Sequence, residues 1–326
     1  MKLSNKGITM AEPFVSPEYA SSDGFEAASL APVHQLHPPQ EGDFDSGTHH
    51  FYQGDVKVGR EDIIWTLELS ENMAYDGLAI IVPGYSGIKG SSRKPRGAMA
   101  DEGFATLSYT PARRGSSWYE TATNPQLLHS KTIHQVGKAV FESTEIRNTA
   151  PNIQDRSLDK LLLLAHSMGG LGATEYGIFS PQSVDAIVKL AACGYGHPTL
   201  AEIIADVPKG AHLGLWHELI PSLLQGHIPI NGRNAKDLVN YFMHLRAAIE
   251  GNSCLREDSR EKVATIRDNG VFVAYQAYQH DILVRADPAV AEHVDYHEIM
   301  PDAGHLAPIR KAKQVAQRVS DIVLSR

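Results

Sequence analysis

Little in this sequence can hold a metal or a covalent staple. Its 326 residues include two cysteines, Cys193 and Cys254. That is too few for a disulfide framework or a cysteine-rich metal set, so each is expected to be a small, reduced, buried residue. An excess of cations is missing too: 30 Lys and Arg stand against 38 Asp and Glu, a formal net charge of −8. A surface that neutralises phosphates along a polymer needs the opposite balance, so no nucleic-acid partner is expected. No apolar run approaches the ~18 residues needed to cross a bilayer, and Met1-Lys-Leu-Ser-Asn-Lys lacks the apolar core of a secretory signal. These absences predict no membrane span and a cytoplasmic location. Repeats and low-complexity tracts are lacking as well. What remains, 42% hydrophobic and 21% charged, is ordinary globular composition, long enough for one large domain or a domain with an insertion.

Residues 1–48 are rich in Pro, Ser, Gly and acids, with Pro38-Pro39 and little periodicity. They read as a partly ordered arm. Strand signals then begin with His50-Phe-Tyr and Ile63-Ile-Trp-Thr-Leu-Glu-Leu69, an expected antiparallel pair. Leu78–Val82, Phe104–Tyr109, Leu161–Leu164, Ala186–Leu190 and Val271–Tyr275 follow, mostly as the continuous apolar runs of strands buried on both faces. Helical spacing separates them, as at Ile133, Val136 and Val140. At the C-terminal end Val315, Ala316, Val319, Ile322 and Val323 form one stripe, with Lys311, Lys313, Gln314 and Arg318 facing the other way. This alternation predicts an α/β fold with a mostly parallel sheet covered by helices on both faces, its first part spanning 49–196 and its second 269–326. Between them, 197–268 has no convincing strand and reads as an inserted helical lid, longer than a strand-to-strand crossover requires.

The most telling stretch is Leu161-Leu-Leu-Leu-Ala165-His166-Ser167-Met168-Gly169-Gly170. An apolar strand delivers a serine into a turn of small residues that opens a helix. This is the G-x-S-x-G elbow pattern with Ala165 in place of the first glycine. The positions two before and two after the serine must be nearly bare so that strand and helix can approach. A serine hydroxyl is a weak nucleophile and needs a base, itself oriented by a third group. Downstream, Asp281 lies just beyond a buried strand, in Gln279-His280-Asp281-Ile-Leu-Val284. His305 lies in Gly304-His305-Leu306, before the terminal helix. Asp287 and Asp302 are alternative acids, and His280 is an alternative base disfavoured by the order serine, acid, histidine.

At this point the chain resembles the α/β-hydrolase superfamily, in particular its lidded, lipase- and esterase-like members, from about Tyr52 to the C-terminus. The resemblance rests on the A-H-S-M-G-G elbow, on D-I-L-V after the penultimate core strand, on G-H before the last helix, and on V-P-G-Y-S-G after an early strand. It implies that Ser167 is the nucleophile, His305 the general base and Asp281 its orienting acid, with 197–268 as the cap. It also implies an oxyanion hole from the N–H groups of Met168 and of Tyr85, or of Ser86 in its place. Here Pro83 stands where many members have histidine. Ala112-Arg113-Arg114-Gly115 weakly resembles the family's arginine-glycine loop, and a structural loop is the simpler reading. The implied activity is cofactor-independent cleavage of a carboxylic ester or thioester of a small acyl substrate. C–C bond, amide or peptide hydrolysis and perhydrolysis share the triad, and a non-catalytic receptor could share the fold. Epoxide and haloalkane hydrolysis on this fold use an aspartate nucleophile, which Ser167 speaks against.

Other residues invite simpler readings. His166 is expected to brace the turn. His293 and His297 lack a third ligand, and Val-Asp-Tyr between them suits the start of a strand, so no metal is expected. Lys89, Arg93, Lys94 and Arg96 read as a solvated helix face, or as a patch that attracts an anionic substrate. Trp216 and Phe242 in the lid could line an acyl pocket or pack the lid onto the core.

Overall fold

In the computed structural model, the described residues are 34–36, 49–58, 61–84, 92–109, 125–144, 146, 160–195, 257–281, 284 and 286–326. They form one nine-stranded sheet. Its strands are β1 (His34–Leu36), β2 (His49–Val58), β3 (Glu61–Ser70), β4 (Leu78–Val82), β5 (Ala105–Tyr109), β6 (Leu161–His166), β7 (Val184–Leu190), β8 (Phe272–Tyr278) and β9 (Tyr296–Met300). The spatial order is β1-β2-β3-β5-β4-β6-β7-β8-β9. β1 to β3 pair antiparallel with one another, and β3 pairs antiparallel with β5. From β5 to β9 every pairing is parallel. The mostly parallel α/β sheet expected from the alternation is therefore present, with the opening antiparallel pair in its predicted place. β1 falls within the segment read as an arm and adds a short edge strand.

β4, Leu-Ala-Ile-Ile-Val, and β6, Leu-Leu-Leu-Leu-Ala-His, are apolar except for His166 at the end of β6, because helices cover both of their faces. Successive side chains alternate between two cores. Ile80, Leu163, Ile187 and Val273 point to one face, and Ala79, Leu162, Leu164 and Val188 to the other. The first face is covered by α2 (Pro125–Glu142), α3 (Gly169–Phe179) and α4 (Arg260–Asp268), which bury Ile133, Val136, Val140, Ala173, Val263 and Ile266. The second is covered by α1 (Arg93–Asp101) and α6 (Ala312–Leu324), with Met99, Val315, Val319 and Ile322 turned inward. Truncating a side chain such as Leu163 to alanine would cost about 2–5 kcal/mol at such a site.

Two local readings change. Arg96 is not part of a solvated face: its guanidinium pairs with Glu68 at 2.9 Å and donates to the Ser108 hydroxyl at 2.8 Å, while His49 contacts the same carboxylate at 3.0 Å. Arg260–Asp268, at the end of the stretch read as a lid, belongs to the sheet-covering layer, since Val263 and Ile266 are fully buried in the core. Residues 196–256 lie outside the described residues.

The topology positions the site. The chain passes from β4 to β5 on one side, then returns across β4 to place β6 on the other. Such a reversal opens a crevice at the carboxyl ends of the two strands, where ligands of open α/β sheets bind. Pro83 and Gly84, which follow β4, and the turn after β6 flank it.

Candidate active site

β6 ends at His166 and α3 begins at Gly169, so Ser167 and Met168 make the whole turn. Ser167 has φ 54°, in the left-handed region that costs a residue with a side chain on the order of 1–2 kcal/mol. β7 holds it there. Ser167 N–H donates to Leu190 O at 3.1 Å, and Ser167 O accepts from Gly170 N–H at 3.0 Å and Cys193 N–H at 3.1 Å.

The bareness required of the elbow is visible in the contacts. A Cβ on Gly169 would lie 2.5 Å from Val82 O and 2.7 Å from Pro83 O, and one on Gly170 would lie 2.4 Å from Ala192 Cβ. Gly84 is the residue that sequence reasoning passed over. A Cβ there would lie 2.8 Å from Ser167 Cβ, so the loop after β4 leaves directly against the serine. Only its position within V-P-G-Y-S-G hinted at this. Ala165, the departure from the elbow pattern, is fully buried and accommodated.

His305 and Asp281 come together. His305 Nδ1 lies 2.7 Å from Asp281 Oδ2, and the carboxylate is fully enclosed. Its other oxygen, Oδ1, accepts the Val284 N–H at 2.9 Å. With Nδ1–H donated to a carboxylate, Nε2 is left as the acceptor. The alternative acids are engaged elsewhere. Asp287 Oδ1 accepts Ala289 N–H at 2.9 Å and caps the 3₁₀ turn Pro288–Glu292, and exposed Asp302 faces exposed His280 at 3.7 Å. His297 lies in β9, and among the described residues no His, Cys, Asp and Glu cluster could hold a metal ion.

His166 joins the two halves. Its Nε2–H donates to His305 O at 2.8 Å, and the two rings lie 4.7 Å apart, centroid to centroid. Burial first, then the proximity of His305, pushes its pKa down to about 3, so it stays neutral. It braces the histidine loop against the elbow rather than the turn alone. The Ser167 hydroxyl has no hydrogen-bond partner among the described residues, and such contacts are often long before substrate binds. Met168 N–H likewise has no acceptor among the described residues. It sits at the positive end of α3, the kind of donor that can receive a developing oxyanion. Cys193 is half-buried beside Met168 and Leu171. Tyr85, Ser86, Lys89, Arg113, Arg114, Trp216, Phe242 and Cys254 lie outside the described residues.

No protein-family model matches this sequence, and no curated protein matches it. Solved structures do. A proline iminopeptidase from Mycobacterium smegmatis superposes with TM-score 0.55 at 13% identity, covering 84% of this chain and 98% of its own. The carboxylesterase CesB from Bacillus subtilis gives 0.51 at 12%, covering 84% and 92%. An epoxide hydrolase from Vigna radiata gives 0.53 at 11%, covering 85% and 99%. This chain has the α/β-hydrolase fold. The names of its structural neighbours span three different bonds, so the α/β-hydrolase fold does not choose the reaction, and the choice rests on the site. Among the described residues, no helix is long and apolar enough to cross a membrane.

Proposed function

We propose that this chain is a serine hydrolase that cleaves a carboxylic ester, or the corresponding thioester, of a small acyl substrate through an acyl-enzyme. The observation that carries the reading is a serine in a strained turn whose neighbouring loop supplies an imidazole already oriented by an enclosed carboxylate. Ser167 Oγ attacks the carbonyl carbon while His305 Nε2 takes its proton, and Asp281 stabilises the imidazolium that forms. Met168 N–H, with Tyr85 N–H as the second donor, receives the oxyanion. His305 returns the proton to the departing alcohol or thiol. Water then attacks the acyl carbon with His305 again as base, releasing the carboxylic acid and restoring Ser167. None of these steps calls for a cofactor. In this reading the segment from 197 to the start of α4 is the lid, and Trp216 and Phe242 line the acyl pocket.

A fluorophosphonate probe and a series of nitrophenyl esters of graded chain length test it. Labelling of the wild-type chain that is lost in Ser167→Ala, together with ester cleavage lost in the same variant, is expected. Cleavage that persists in the pure, folded variant refutes the assignment of Ser167.

A further inference from the structure

α1 and α6 carry their charges against their dipoles. The amino end of a helix favours acids and its carboxyl end favours bases, by about 0.3–1 kcal/mol for each exposed charge. α1 opens with Arg93 and Lys94, has no acid in its first turn, and ends at Asp101-Glu102. α6 has Lys311 as its N-cap and Lys313 in its first turn, again with no acid there, and Asp321 near its end. The two helices pack together on one face of the sheet, like end to like end. At the carboxyl ends, burial and then repulsion from Asp321 and Asp101 raise the Glu102 carboxyl above its ordinary pKa.

At the other end the pair opens a groove of about 410 Å³. Lys94 and Ala98 line it from α1, Arg310 from α5 (Ala307–Arg310), and Lys311, Lys313 and Gln314 from the start of α6. Four cations face this space, and none of the lining residues is an acid. Among the described residues, Lys94, Lys311 and Lys313 have no ion-pair partner. On a chain of net charge −8, three lysines gathered beside Arg310 with no ion-pair partner among the described residues cost folding free energy that an anion would return. The groove adjoins the histidine loop along the chain: α5 starts two residues after His305 and ends at Arg310.

We infer that this groove holds a phosphate-type oxyanion borne by the substrate, so that the hydrolase acts on phosphorylated esters or thioesters. The anion site stands on the groove itself, and only its attribution to a substrate rests on the proposed hydrolase reading.

Two measurements on the full chain separate these points. The first is calorimetric titration of inorganic pyrophosphate into wild type and into the triple variant Lys94→Gln, Lys311→Gln, Lys313→Gln. Saturable binding to wild type is expected, weakened at least about tenfold in the variant, whose melting temperature is unchanged or raised because helix-end repulsion is relieved. No binding to wild type, or equal binding to the folded variant, overturns the site. The second compares acetyl thioesters of pantetheine and of 4′-phosphopantetheine, which differ by one phosphate. A preference of about tenfold or more in kcat/KM for the phosphorylated compound, expressed in KM and lost in the variant, is expected. Pyrophosphate binding without that preference overturns the attribution to substrate. Anion binding that is retained while Ser167 fails to label with fluorophosphonate separates failure of the hydrolase reading from failure of the groove.

Discussion

Replacing Lys189 by methionine should stabilise the protein near neutral pH, and by an amount that fades as pH rises. Lys189 lies in β7 between apolar neighbours and is fully buried. Its Nζ has the Ser259 hydroxyl at 3.4 Å and the Tyr195 ring 4.5 Å below. Among the described residues no carboxylate is its partner, and the Glu175 and Glu257 carboxylates are engaged by Lys262. Burial lowers the Lys189 pKa from 10.5 to about 7, with Cys193 opposing the change and Lys262 adding to it. The gap of about 3.5 pH units, at 1.36 kcal/mol each, is an upper bound of about 5 kcal/mol against the folded state wherever the ammonium persists. Methionine keeps most of the stem's volume and needs no hydration, so a gain of about 1–4 kcal/mol is expected below pH 7. The sign follows from proton counting. Between about 7 and 10.5 the unfolded chain holds a proton on this amine that the folded chain has released. Wild type therefore gains stability with rising pH and approaches the variant, by up to about 2.7 kcal/mol between pH 7.5 and 9.5. Urea unfolding of both proteins at several pH values measures the difference, in which other titrating groups cancel. A Met variant less stable than wild type at pH 6.5, or a difference that does not change with pH, refutes the reasoning.

The remaining predictions concern the site. Asp281→Asn should lower kcat by on the order of 10³–10⁴ with little change in KM, because the histidine loses the acceptor that fixes its tautomer; steady-state kinetics with a nitrophenyl ester reads this. His166→Phe leaves the His305 carbonyl without its donor at a cost of about 1–3 kcal/mol and should lower kcat, whereas His166→Gln, which can still donate, should retain most of both. Gly169→Ala should destabilise by about 1–3 kcal/mol in urea unfolding and impair fluorophosphonate labelling, since the new Cβ meets backbone oxygens that cannot move aside. Helix propensity alone would make that substitution favourable, so the sign distinguishes the two effects.

The parts of this molecule that were legible in sequence are those where one physical demand acts alone. β4, β6 and β7 are covered on both faces, so nearly every residue is apolar and the strands stand out. The elbow was legible because steric closeness demands small residues at fixed offsets. What escaped depends on partners far along the chain. β1 is three residues, His-Gln-Leu, with no periodicity to read. Arg96 looked solvated among its basic neighbours because Glu68 and Ser108 belong to strands β3 and β5. Bracing by His166 was expected of the turn, but its acceptor is a carbonyl 139 positions away. Within β7, Lys189 interrupts an otherwise apolar run, and only the packed sheet reveals that its amine is fully buried.

The hydrogen bonds from β7 to the elbow bear on how the protein is made. From β6 to β9 the order along the sheet is the order along the chain, so each strand leaving the ribosome meets an exposed template beside it. Chains emerge amino end first at about 5–20 residues per second, and early portions can organise before later ones exist. Leu190 and Cys193, which clamp Ser167, are synthesised well before Asp281 and His305. The serine can thus be locked into its unfavourable turn while the groups that would activate it have yet to be translated. On this schedule a partly made chain carries the strained turn before Asp281 and His305 exist, so any reactivity that depends on them waits for their synthesis.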